Sequence, residues 1–207
     1  MFMAKPQKYE QILDALQYLL ESKDIQTISV NEIAQTAGIG KGSIYYYFPS
    51  KDAILEALIE RNYETPVKTA QNLAKQKNVS PFTRMAMIFQ ACRNSSAEFL
   101  SRNADTMQNP AQDKLILHQK YLNHLVTELK PALTSIIEQG IETGEIHFDY
   151  PAALAEIALI VLAVKSDTTL IPSSDKEIEE TILGLISLLE KGTGNPAGSL
   201  NFLISPP

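Results

Sequence analysis

A chain of 207 residues with an apolar fraction of 44% is long enough for one large or two small domains and too apolar to be disordered. No run of eighteen apolar residues occurs, the start MFMAKPQKYEQ lacks the apolar core of a signal peptide, and the single cysteine, Cys92, has no disulfide partner. A cytoplasmic protein is expected, without a membrane span or disulfide framework. The net charge is −6 and the three histidines are scattered, so no metal-ligand spacing arises and neither metal nor cofactor is expected.

Tyr9, Ile12, Leu13, Leu16, Leu19 and Leu20 recur at helical spacing, which predicts a first helix ending around Ser22 to Asp24. It packs the core and braces a three-helix head. Only Lys5 and Lys8 are placed to reach a nucleic-acid backbone.

The stretch Ser29 to Lys51, SVNEIAQTAGIGKGSIYYYFPSK, reads as helix, tight turn and short second helix. Ser29 and Glu32 stand in capping-box spacing and start a helix at Val30. Val30, Ile33, Ala34 and Ala37 share one stripe, and Gly38 comes next, where a residue without Cβ can end the helix. A second helix begins near Lys41 and ends before Pro49, because Phe48 precedes a proline and is pushed out of α geometry. At about 100° per residue, Ile44 and Phe48 point inward, Gly42, Ser43 and Tyr46 outward, and Tyr45 and Tyr47 lie on the flanks. Gly42 and Ser43 weaken a helix kept for packing alone, but they let another surface approach its backbone. Ala34 is small enough for the second helix to cross the first closely, as in a helix-turn-helix. Ser50 can cap the next helix, whose first turn suits a phosphate, with Lys51 supplying the charge.

These residues resemble the amino-terminal domain of the TetR family of bacterial transcriptional regulators, which joins an IA-x-x-AG helix to a recognition helix ending Y-x-x-F-x-x-K. Ile33 to Gly38 and Tyr45 to Lys51 match that pattern, and the likeness spans roughly residues 5 to 60. The resemblance implies that Lys41, Gly42, Ser43 and Tyr45 lie at base edges and that Tyr46, Tyr47 and Lys51 face phosphates. Residues 1 to 51 hold five lysines and five acids, so the excess of negative charge lies beyond the motif. DNA binding is then expected to rest on a few local contacts rather than on a basic surface.

Beyond Ser50, Ile54, Leu55, Leu58 and Ile59 mark a longer helix that bends or breaks at Thr65–Pro66, a hinge or an inert kink. Ser80 and Pro81 start another, carrying Phe82, Met85, Ile88, Phe89 and Cys92. Asn103 to Gln112 reads as a loop. Next comes a long helix from Leu115, with Pro131 midway and an end at Gly140 or Gly144. Asp149 is expected to cap the run AALAEIALIVLAV, which is apolar almost all round, and Ser174 with Glu177 starts a last helix. These two over-apolar helices are the expected dimer interface, through Leu154, Ile157, Ala158, Val161, Leu162, Ile182, Leu185, Ile186 and Leu189. The tail from Gly192 is rich in turn formers yet holds the apolar run Leu200 to Ile204, which frays or docks.

The expected fold is all-α: a DNA-binding head at residues 1–50, a helical regulatory and dimerisation body at 51–191 and an irregular tail at 192–207. The expected function is that of a homodimeric repressor of a near-palindromic DNA operator. As the resemblance implies, it is released by a small molecule held in the body, where Met85, Phe89, Cys92, Phe99, Met107, His118, Tyr121 and Leu125 are candidate pocket residues. The alternative is a helical ligand-binding or scaffold protein that keeps the fold without reading DNA. An enzyme has little support, since G-x-S-x-G, H-E-x-x-H, P-loop and Gly-rich dinucleotide motifs are absent.

Overall fold

Four serines start helices, each accepting a hydrogen bond from the amide three residues on: Ser29 from Glu32 at 3.2 Å, Ser50 from Ala53 at 3.1 Å, Ser80 from Thr83 at 3.2 Å and Ser174 from Glu177 at 3.4 Å. Each satisfies an amide that the first turn of a helix leaves without a partner. The computed structural model describes residues 7–102, 111–165 and 173–204, and among these it forms eight α-helices and no strand. They are α1 Gln7–Leu20, α2 Val30–Thr36, α3 Lys41–Tyr47, α4 Lys51–Leu73, α5 Pro81–Arg102, α6 Ala111–Thr143, α7 Pro151–Lys165 and α8 Asp175–Gly192, and a 3-10 turn at Asn201–Leu203 comes after them. The described residues fall into two compact units, one within Met1–Asn62 and Ser96–Lys120, the other within Tyr63–Ser95 and Tyr121–Pro207.

In the first unit α1 buries Ile12, Leu13 and Leu16, and α2 buries Ile33 and Ala34. The start of α4 adds Ile54, Leu55 and Leu58 to this core, each worth about 1.5–3 kcal/mol of removed apolar surface. The turn between α2 and α3 is set by Gly38 at φ 67. There Ile39 N donates to Ala34 O at 3.0 Å and Gly38 N to Gln35 O at 3.1 Å, the paired closing bonds of a glycine-ended helix. This ending aims α3 across α2, and the small buried Ala34 leaves room for the crossing.

In the second unit buried Arg84 donates to Gln139 Oε1 at 2.6 Å, while Gln139 Nε2 donates to Ala74 O at 2.9 Å. The pair ties the chain just past α4 to α5 and α6. Burial pulls the Arg84 guanidinium below its usual pKa, and Glu145 opposes the shift. After α8 the chain turns back, burying Leu200 and Leu203; the apolar run of the tail therefore docks on its own unit.

Three boundaries differ from the sequence expectation. α4 runs through Pro66 without a break, because one missing amide costs less than losing the packing of a long helix. α6 begins at Ala111, so Ala111 and Gln112 are helical, while residues 103–110 lie outside the described part. The first bond of α7 runs from Leu154 N to Tyr150 O at 3.0 Å, which places the cap at Tyr150 and not at Asp149.

Candidate nucleic-acid interface and body cavity

α3 is anchored by two apolar side chains on one side: Ile44 and Phe48 are both buried. Phe48 is extended, at φ −136 and ψ 124, as a residue before proline must be. Its ring meets that of Tyr9 with centroids 4.7 Å apart, so α1 braces the end of α3. On the other side Tyr46 is 84% exposed and Tyr45 51%, with Lys41 and Gly42 also exposed and Ser43 and Tyr47 half-buried. Tyr46 and Tyr47 meet edge to face at 5.1 Å. A Cβ built on Gly42 would find no atom within 4 Å. The face thus offers two exposed rings, a long cation and an open backbone approach, and no acid lies in the helix. A surface of this kind suits thymine methyls, base acceptors and phosphates.

Several acids of the first unit are held in ion pairs. Glu32 receives Lys23 at 2.8 Å, Glu10 and Asp14 receive Arg61 at 3.1 and 2.7 Å, and Glu56 receives Lys120 at 3.1 Å. Exposed pairs add little stability, but they neutralise negative charge that would repel a phosphate backbone. Lys41 has no ion pair among the described residues, which leaves its charge available.

In the second unit a cavity of about 40 Å3 is walled by Phe82, Met85 and Phe89 of α5, Leu133 and Ile137 of α6, and Leu154, Ala155 and Ala158 of α7. Ile146 and Leu189 join them, and the chain after α8 closes it with Thr193, Asn195, Leu200 and Leu203. Among the described residues, no charged side chain lines it.

The family model described as bacterial regulatory proteins, tetR family, matches residues 12–58, the same helices that build and brace the α3 face. The chain belongs to the TetR family. Over 192 residues, 92% of this chain and 98% of the relative, it is 25% identical to the fatty acid metabolism regulator protein of Bacillus subtilis. It is 39% identical to the HTH-type transcriptional regulator EthR of Mycobacterium tuberculosis over 64 residues, 31% of this chain and 30% of that one. The fold is similar to that of SmeT, the repressor of the Stenotrophomonas maltophilia multidrug efflux pump SmeDEF, with a TM-score of 0.62 at 15% identity, covering 96% of this chain and 93% of that one. This TetR-family protein is a DNA-binding transcriptional regulator and not an enzyme. None of its described helices is long and apolar enough to cross a membrane.

Within this TetR-family regulator the sequence-derived site residues separate. Lys41, Gly42, Tyr45 and Tyr46 share the outward face of α3, with Ser43 and Tyr47 at its margins. Lys51 has acceptors within its own chain. Its Nζ donates to the carbonyls of Ile25, Gln26 and Ile28 at 2.6, 3.3 and 2.9 Å; these oxygens end the α1–α2 link. Of the candidate pocket residues, Met85 and Phe89 line the cavity. Leu125 is buried and Cys92 half-buried, and neither lines it, because the cavity lies toward the start of α5 and the later turns of α6. Met107 and the side chains of Phe99, His118 and Tyr121 lie outside the described part. The remaining wall residues come from six segments, and none carries a local signal except the apolar run at Leu200.

The residues of the expected dimer face differ in their exposure within one chain. Leu154, Leu185 and Ile186 are buried within their own chain, since α7 and α8 each turn one side to the core. The large apolar residues exposed on the same helices, among the described residues, are Ile157, Ile160, Leu183 and Leu188, the last 72% exposed. Ala158, Val161, Leu162, Ile182 and Leu189 are half-buried between the two sides.

Proposed function

We propose that this regulator is a homodimeric repressor that seats its two α3 helices in successive major grooves of a near-palindromic operator, with half-sites about one helical turn apart. The observation that carries this reading is the α3 face itself: Tyr46 stands almost fully in water and Gly42 has open space above it. In it residues 1–50 read DNA, and the helices beyond carry regulation and pairing. Lys41 donates to a guanine, a contact worth about 1–3 kcal/mol of discrimination. Tyr45 offers its ring edge to a thymine methyl, and Ser43, Tyr46 and Tyr47 complete the contact.

The partner is a second copy, which pairs through Ile157, Ile160, Leu183 and Leu188. Four large apolar side chains exposed on two neighbouring helices are better covered by their own symmetry mate than left in water. A small molecule in the body cavity lowers operator affinity by favouring a spacing of the two α3 helices that fits the grooves poorly.

Selection of random duplex DNA by the purified protein tests the reading. A palindrome is expected to emerge, to be lost with Tyr46→Ala combined with Lys41→Ala, and to weaken with salt at a log–log slope of roughly −0.9 per phosphate contact. No enrichment by a folded, dimeric protein would favour a ligand-binding protein that keeps the fold without reading DNA.

A further inference from the structure

We propose that residues 193–204 are a strap closing the body cavity, and that its release from Glu190 admits an uncharged ligand of about one aromatic ring. This deepens the reading of the cavity as the regulatory site and rests on it.

The strap is fastened differently at its two ends. At its base His147 N donates to Thr193 O at 3.2 Å and Asn195 N to Glu190 O at 2.9 Å. Thr193 Oγ1 also donates to Leu189 O at 2.7 Å, so the base continues the end of α8. Beyond it the chain turns at Gly198, whose φ of 88 is open to glycine and strained for other residues. The far end then returns to α8, where Leu200 N donates to Glu190 Oε1 at 3.0 Å. Leu200 and Leu203 drop into the cavity wall. Glu190 is 7% exposed, and a carboxylate so placed is costly without a hydrogen-bond donor. Leu200 N supplies one only while the strap is down.

The closed strap carries a cost of its own. Ser199 Oγ is buried with no hydrogen-bond partner, and it regains water when the strap lifts. A base held by several bonds, a glycine turn and a far end held by one carboxylate and two leucines make a door that swings about Gly198.

The wall sets the ligand chemistry. With the strap down a volume of about 40 Å3 is roughly three water-sized spheres, too small for an aromatic ring, so a ring enters only where Leu200 and Leu203 lift from the wall; water, for its part, needs two to four polar partners. Thr193 and Asn195 are the only polar residues among the described lining side chains, and Asn195 Nδ2 already donates to Thr193 Oγ1 at 2.6 Å. The cavity therefore favours an apolar body with at most one hydroxyl or carbonyl, and it offers no counter-charge to an ion.

The test uses the full chain and para-fluorophenol, monitored by fluorine NMR without DNA, with circular dichroism as the fold control for each variant. The wild-type protein is expected to bind the probe, and Ala155→Leu, which fills the cavity, to lose it. Glu190→Ala is expected to speed probe exchange by about tenfold. Ser199→Ala removes the unsatisfied hydroxyl without enlarging any side chain, and is expected to slow exchange. Equal exchange rates in these two variants, or the reverse order, would overturn the strap. Absence of binding to the wild-type protein, or binding retained in Ala155→Leu, would overturn the ligand class. Since no arm involves DNA, these outcomes are independent of the operator selection.

Discussion

Lys51 Nζ lies 2.6 Å from the carbonyl oxygen of Ile25 and 2.9 Å from that of Ile28. The first residue of α4 thereby closes the link between α1 and α2, gathering carbonyls that no helix satisfies. Hydrogen bonds to a charged group are worth about 1.5–3 kcal/mol when well shielded, and the half-exposed setting of Lys51 reduces this. Lys51→Met is expected to lower the stability of the first unit by about 1–2 kcal/mol, measured by thermal unfolding. The salt dependence of DNA binding is expected to stay unchanged. An unaltered melting temperature with a salt slope shallower by about one would instead make Lys51 a phosphate ligand.

Gly42→Ala separates folding from docking. A Cβ at this position meets nothing within 4 Å in the free protein, and alanine is better than glycine in a helix by about 1 kcal/mol. The variant is expected to melt at the same temperature or higher and to bind the selected DNA more weakly, by gel shift, because the new methyl occupies the approach path. DNA binding at wild-type strength would remove Gly42 from the interface.

The capping box of α2 responds to acid. Lys23, then the amide and hydroxyl of Ser29, hold the Glu32 carboxyl at about 2, below its usual 4.5. A group whose pKa is lower in the folded state stabilises it above the unfolded value, and that contribution is lost as the pH falls through the folded one. Melting temperature is therefore expected to drop more steeply between pH 4.5 and about 2 in the wild-type protein than in Glu32→Gln. Glutamine keeps the hydrogen bond back to Ser29 but cannot titrate. Parallel curves would show that Glu32 has no part in acid sensitivity.

Leu188 is 72% exposed on α8, so Leu188→Lys removes little buried surface within one chain, and its effect on the monomer is expected to stay within about 0.5 kcal/mol. Its effect on pairing is expected to be large, since in the proposed dimer it sets a charge into the apolar contact between the two copies. Sedimentation should show a shift from dimer toward monomer, with loss of DNA binding at low protein concentration. By the same logic Leu185→Ala, at a buried position, is expected to lower the melting temperature, with a cost of about 2–5 kcal/mol.

Most helix starts and stops, and the outward face of α3, are legible in the order of residues alone. Those outcomes depend on groups within a few residues of one another: Ser29 with Glu32, Ala34 with Ile39 across Gly38, and Phe48 before Pro49 all act through hydrogen bonds or clashes along a single turn. Periodicity likewise separates Ile44 from Tyr46 without any knowledge of what packs on either.

Other features depend on partners far along the chain. Lys51 finds its acceptors 23 to 26 residues away, so its spacing in sequence fits a phosphate contact as well as an internal one. α7 is apolar nearly all round, and periodicity cannot tell Leu154, which turns to the core, from Ile157, which turns to water. The cavity walls converge from separate helices and the tail, and the docking of Leu200 depends on Glu190 and on the apolar surface waiting there. Such choices are made by which distant surfaces meet, and a one-dimensional pattern records only that each residue is apolar or charged.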